Sequence, residues 1–286
     1  MKWIAFKVGG RESFGIVKGD KIIDISAFFV ESECPKSLVE LIAEPEKLEH
    51  IMNQQETMNG SISLKDVQFL PAIVPPNNVL AVGKNYRKHV LEMGSVADIP
   101  EAIMIFTKSR NTLVGNRGQI PLHAEVTREL DYEGELAVVI GKQITNVTED
   151  ESMDAVFGYT IINDVTARDL QGKHKQFYIA KSLDGTCPIG PYVVTKDAIP
   201  DPSKLRIQTF VNEELRQDGK LDQMIFPIAT IIAELSKGHT LMPGDVIATG
   251  TPDGVGKGMN PPSFLQAGDT ISVTIEGIGT LENQVM

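Results

Sequence analysis

The stretch "ELDYEGELAVVIGK", residues 129–142, reads as a strand, because Leu136, Val138 and Ile140 alternate and would line one apolar face. Glu133 and Glu135 share the opposite parity, so both carboxylates fall on the other face. Like charges held side by side repel, and they need a cation, a shared proton or full solvation. Asp131 has the same parity and is read as a surface residue. Downstream, "YTIINDVTARDLQ", residues 159–171, puts Asp164 at the end of an apolar strand, after which Thr166-Ala167-Arg168-Asp169 turns into a short helix. Three oxygen donors with no Cys or His beside them suit Mg²⁺, Mn²⁺ or Ca²⁺ rather than zinc.

Outward from this stretch the chain stays rich in strands, with "FGYTIINDV" at 157–165, "LRIQTFVN" at 205–212, "DVIATG" at 245–250 and "DTISVTIEG" at 269–277. Helices are few and short, at 148–156, where Thr148 and Glu151 form a capping box, and at 228–237. Strands without a regular βαβ alternation argue for an antiparallel or mixed α+β architecture and against a doubly wound sheet. Residues 2–26 read as short strands with Gly19-Asp20 as a hairpin turn, and 36–56 as two helical pieces split at Pro45. The Pro-rich "LPAIVPPNN" at 70–78 reads as a linker, which divides the chain into a small N-terminal domain, 1–70, and a larger one, 71–286.

At 286 residues there is ample core to bury, and 27 Lys+Arg against 38 Asp+Glu give a formal charge of −11. That charge repels phosphate backbones and anionic membranes and favours divalent cations, so neither nucleic acid nor lipid is the expected partner. The first residues break into charge too early for a signal peptide, and no apolar run approaches the ~20 residues of a membrane span, so a cytoplasmic protein is expected. Cys34 and Cys187 lack metal-type spacing and are expected to be reduced, structural thiols.

Chemistry is suggested at three further places. "VGKNYRKHVLEMG", residues 82–94, reads as a helix beginning near Lys84, on which His89 and Glu92 share one face. A carboxylate there would fix the imidazole tautomer and raise its basicity, as an oriented general base requires, although a plain surface pair has the same spacing. In "AKSLDGTCPIGP", 180–191, Lys181 precedes a Gly/Pro-rich loop as a substrate anchor or a solvated lysine. "TGTPDGVGKG", 249–258, has the wrong spacing for a phosphate loop, and "MNPP" follows where a helix should start. It reads either as a turn or as a loop whose backbone amides meet a carboxylate.

Taken in order, "GKNYRKHVLEMG", "DYEGELAVVIG", "GYTIINDVTARDLQ", "AKSLDGTCPIGP" and "GDVIATGTPDGVG" resemble the fumarylacetoacetate hydrolase family in its bacterial form, over about residues 77–284. The resemblance implies a mixed β-sandwich roll with a small N-terminal α/β domain, a homodimer, a central divalent cation and a mobile lid. It makes Glu133, Glu135 and Asp164 the metal ligands, His89 and Glu92 a catalytic dyad carried by the lid, and Lys181 the active-site lysine. It puts Arg168 and Gln171 where they orient the metal site and substrate, and Thr251 against the substrate's carboxylate. Lys108 in "IFTKSRNT" corresponds to another lysine near the site, although Ser109 stands where the family often has proline. His50, His123, His174 and His239 match no motif and are read as surface or packing residues.

The activity this implies is cleavage of a C–C bond in an acylpyruvate-like 2,4-diketo acid by a water that His89 deprotonates, with Mg²⁺ or Mn²⁺ (or Ca²⁺) as electron sink. Decarboxylation of oxaloacetate and isomerisation of a hydroxymuconate-type diacid are the alternatives on the same site. A non-catalytic metabolite-binding scaffold is the rival from another class, and the presence of every motif residue speaks against it.

Overall fold

The structure, a computed structural model, describes residues 1–54 and 57–286. The stretch quoted first becomes the strand Gly134–Ile140, and it is buried on both faces rather than one. Leu136, Val138 and Ile140 enter one core with Tyr159, Ile161, Ile207 and Val273. Ala137 and Val139 enter a second with Ile162, Ile189 and Val246, to which the helices Leu38–Ile42 and Pro45–Gln54 add Leu41, Ile42 and Ile51. Two layers cover the strand, so a near-continuous apolar run is what it needs. The second helical piece was expected to reach 56, and residues 55 and 56 lie outside the described residues.

Strand Gly134–Ile140 pairs antiparallel with Val156–Asn163 on one side and Val246–Ala248 on the other, near the middle of a twelve-stranded mixed sheet. Val79–Gly83 and Met104–Lys108 close one end of it. A five-stranded sheet containing Arg206–Val211 and Thr270–Ile275 supplies Ile207 and Val273 to the first core. Gly134 permits this close approach, since a Cβ there would stand 2.3 Å from Thr209 Oγ1. This is the strand-rich α+β class expected, with few and short helices.

Two readings are corrected. The Gly/Pro-rich segment after Lys181 is a turn only over residues 182–186, and from there it opens the nine-residue strand Cys187–Thr195, which lies between Val156–Asn163 and Lys2–Val8. Pro191 is tolerated because it falls where the ladder to Val156–Asn163 shifts register, between the pairs Ile161↔Gly190 and Tyr159↔Val194. The segment 70–78 is not a free linker, because Ala72 and Ile73 are buried in the second core. Through Lys2↔Val194 and Trp3↔Val193 the main sheet runs across the 70/71 boundary. No helix among the described residues is long and apolar enough to cross a membrane.

Candidate active site

Antiparallel register assembles the site. Gly134 pairs with Asn163, so the start of one strand meets the end of the next. The Asp164 amide donates to the Glu133 carbonyl at 2.8 Å, and the Glu133 amide donates to Asn163 Oδ1 at 3.0 Å. Glu133, Glu135 and Asp164 are thereby buried together, each offering a carboxylate oxygen within 4.8 Å of the others.

Cations are set around this triad. Lys181 Nζ donates to Glu133 Oε2 at 2.7 Å and to Asp164 Oδ2 at 2.6 Å. Lys108 Nζ, fully buried, lies 2.8 Å from Asp164 Oδ1 and also donates to the Val165 carbonyl at 3.1 Å. Arg168 Nη2 lies 2.7 Å from Glu133 Oε1. Burial alone would raise the Glu133 carboxyl, but Lys181 and Arg168 outweigh it and hold it well below the usual carboxylate range. Burial would likewise discharge Lys181, yet Asp164 and Glu133 raise its pKa and keep it an ammonium. Glu135 differs: among the described residues it has no ion pair, and its Oε2 accepts only the Gly250 amide, at 2.7 Å. Burial, then Asp164 and Glu133, push its carboxyl well above the usual range. A buried carboxylate with no ion-pair partner among the described residues, beside two others, fits a hard divalent cation held by oxygen.

Asp131 is not a surface residue but is fully buried. Arg168 Nε donates to its Oδ2 at 2.8 Å, the Gly256 amide to its Oδ1 at 2.7 Å and the Lys257 amide to its Oδ2 at 3.0 Å. The parity shared with Glu133 and Glu135 was the signal for this inward position; its partners lie too far along the chain to be read locally. The glycine-rich loop's amides do meet carboxylates, and those carboxylates belong to the chain itself. Gly254, at φ +101° with a Cβ position 2.0 Å from the Arg216 carbonyl, donates its N–H to both Glu92 oxygens at 2.9 and 3.1 Å. Asp131→Asn should therefore destabilise the protein by about 3–5 kcal/mol, as breaking a buried pair does. It should also weaken metal binding by about 10- to 100-fold through Arg168 and Glu133. Melting curves and calorimetric metal titration check both, and a variant indistinguishable from the parent would return Asp131 to a passive role.

The helix facing the triad runs Arg87–Met93 and starts three residues later than expected. Lys84 has a left-handed backbone, and the buried Asn85 side chain is engaged with Phe226 N at 2.7 Å and the Thr249 carbonyl at 2.8 Å, so helical geometry is blocked until Arg87. On this helix His89 Nδ1–H donates to Glu92 Oε1 at 2.9 Å, which leaves Nε2 unengaged by Glu92. His89 lines a cavity of about 230 Å³ together with Glu133, Glu135, Lys181, Arg168 and Gln171.

The candidate residues thus fall into two groups. His89, Lys181, Arg168, Gln171, Thr251 and two of the triad carboxylates reach the cavity wall. Lys108 and Asp164 lie behind it, and Glu92 holds His89 from outside. The Thr251 hydroxyl is already committed, donating to the Gly134 carbonyl at 2.9 Å and accepting from Gln217 at 2.7 Å. Gln217, which also takes the Gly134 amide at 2.9 Å, was not foreseen; its strand Glu214–Lys220 is too polar to be noticed. None of His50, His123, His174 and His239 lines this cavity.

Comparison with known proteins agrees with this architecture. The family model for the fumarylacetoacetate (FAA) hydrolase C-terminal region matches residues 78–286. The chain is 49% identical over 300 aligned positions to the oxaloacetate tautomerase YisK of Bacillus subtilis (strain 168), covering 100% of both chains. It superposes with TM-score 0.83 on the fumarylacetoacetate hydrolase EaFAH of the psychrophilic Exiguobacterium antarcticum, at 43% identity over 100% of this chain and 99% of that one. The maleylpyruvate hydrolase of Sphingobium sp. SYK-6, solved with manganese(II) and pyruvate, superposes with TM-score 0.82 at 30% identity, with coverage of 100% and 99%. A match across the whole catalytic region, with relatives aligned end to end, leaves one conclusion: this chain is a member of the fumarylacetoacetate hydrolase family.

Proposed function

We propose that this chain is a divalent-metal-dependent enzyme that interconverts the keto and enol forms of a small 2-oxo acid of the oxaloacetate class. The observation that carries the reading is His89, held from behind by Glu92, lining the same cavity as Glu133, Glu135 and an ammonium, Lys181. The Bacillus relative, named an oxaloacetate tautomerase and aligned over the full chain, supports the choice of substrate class. Glu133, Glu135 and Asp164 would hold Mg²⁺ or Mn²⁺, which would supply Lewis-acid stabilisation of negative charge on the substrate's carbonyl side.

The chain's own residues do the rest. His89 Nε2 accepts a proton from the carbon next to the carbonyl, the C–H electron pair becomes the C=C bond, and the carbonyl π pair moves onto oxygen as an enolate that takes a proton from solvent water to give the enol. Glu92 fixes the tautomer that leaves Nε2 basic. Lys181 has spent two of its three N–H groups on Glu133 and Asp164, and the third can hydrogen-bond the oxygen on which charge develops. Arg168 and Gln171, joined at 3.2 Å, form part of the cavity wall.

Hydrolysis of a 2,4-diketo acid is the second reading, favoured by the cavity's size: about 230 Å³ is many times the roughly 10–15 Å³ of such space that one water needs. There His89 would take its proton from that water instead. Decarboxylation of oxaloacetate would break the C–C bond to the second carboxylate instead, releasing CO₂ and leaving the enolate of pyruvate, and a homodimer is part of the family reading. The test follows keto–enol relaxation of oxaloacetate and cleavage of acetylpyruvate by one Mn²⁺-loaded preparation. A higher kcat/KM for the first is expected; the reverse ranking selects the hydrolase, and acceleration of neither rejects the site.

A further inference from the structure

We infer that Lys84 binds the substrate's second carboxylate, so that the site selects dicarboxylic over monocarboxylic 2-oxo acids; this rests on the reading above, in which the substrate's carbonyl side faces the triad. Three permanent cations line the cavity: Lys84, Arg168 and Lys181. Arg168 is held by the buried carboxylates Asp131 and Glu133, and Lys181 by Glu133 and Asp164. Their charge is already balanced inside the protein. Among the described residues Lys84 has instead one ion-pair partner, Asp98, at 3.5 Å, with the two side chains 34% and 46% exposed. Exposed pairs of this length are weak, so a ligand carboxylate can displace Asp98 at little cost.

The backbone gives an independent reason. Lys84 sits at φ +57°, in the left-handed region that glycine or asparagine enters most easily. Non-glycine residues persist there where the surroundings hold them, commonly at ligand sites. Here the strand Val79–Gly83 ends immediately before it, and Asn85, fully buried, is bonded to Phe226 and Thr249 immediately after. The ammonium is therefore carried on a fixed base. Asp98 is also fixed, because its Oδ2 accepts both the Ser95 amide and hydroxyl at 2.9 Å, so it does not follow Lys84 when a ligand arrives. Since Asp98 lines the same cavity, its charge opposes a second carboxylate while Lys84 attracts it.

The test compares oxaloacetate with 2-oxobutyrate, following exchange of the C3 proton with deuterated solvent by NMR. In Lys84→Met the ratio of kcat/KM, diacid over monoacid, should fall by about 10- to 100-fold, the effect of one charge-assisted hydrogen bond on binding. Lys84→Arg should keep the preference, and Asp98→Asn should lower KM for the diacid. An unchanged ratio in Lys84→Met overturns the inference. If the unsubstituted enzyme exchanges neither proton, the proposed function fails on its own. Equilibrium titration of the two acids against the Mn²⁺-loaded protein then decides Lys84, since Lys84→Met must weaken the diacid selectively or the inference falls.

Discussion

Glu135→Gln is expected to lower turnover by about 10³-fold or more while leaving the metal-free protein at least as stable as its parent. Glu135 is 1% exposed, packed against Glu133 and Asp164, and without an ion pair among the described residues. Its raised pKa means that the folded, metal-free protein retains a proton which the unfolded chain releases near 4.5, the ordinary value for a glutamate. This group's contribution to stability therefore weakens as pH rises above that value, and glutamine, neutral and of the same shape, removes the slope. A cation has the opposite preference: one anionic ligand of three is lost, and several kcal/mol of Lewis-acid stabilisation, at 1.36 kcal/mol per tenfold, corresponds to the stated loss. Metal binding to the parent should release a proton and weaken as pH falls, and in Glu135→Gln that dependence should diminish. Melting curves with and without Mn²⁺, and calorimetry at several pH values, measure both effects. Unchanged metal affinity would remove Glu135 from the ligand set. Asp164→Asn is the contrasting case, because it weakens the pairing of the fully buried Lys108 and should cost about 3–5 kcal/mol of stability.

His89→Ala should reduce keto–enol turnover by about 10²- to 10⁴-fold with metal affinity unaltered, the usual range for losing a positioned acid–base group. Glu92→Gln should fall between the parent and His89→Ala. It removes the charge that orients His89, and the same carboxylate receives the Gly254 amide, so the helix loses part of its attachment to the glycine-rich loop. Loss of CO₂ from oxaloacetate needs no proton abstraction from carbon, so any decarboxylase activity should survive His89→Ala to a larger fraction. Stopped-flow measurement of both reactions at saturating Mn²⁺ makes the comparison, and near-normal turnover by His89→Ala would make His89 and Glu92 an ordinary ion pair.

Much of the site was legible because it is written in short-range periodicity. Glu133 and Glu135 are two apart beside a strand, Asp164 closes another apolar run, and His89 and Glu92 are three apart on a helix, so each local group is visible within a dozen residues. Asp131 shows where this stops. Its parity pointed inward with the glutamates, but its burial depends on Arg168, 37 residues on, and on Gly256, 125 residues on. Glu92 likewise reaches Gly254 across 162 positions. Cys187–Thr195 looked like a loop because proline and glycine are poor strand formers in isolation, and neighbours on both sides override that preference.

The sequence by itself determined the strand-rich class, the identity of the acidic triad and the spacing of the His–Glu pair, because alternation and helical repeat are properties of consecutive residues. Tertiary structure alone decided that Gly134–Ile140 is covered on both faces, that the N-terminal strands join the main sheet, and that Asp131 ties the glycine-rich loop to Arg168. It alone also placed Lys84 on the cavity wall in a left-handed turn. These features depend on which strands pair and in what register, and a long-range pairing is chosen by the sum of burial and hydrogen bonding over the whole molecule, a quantity no local window contains.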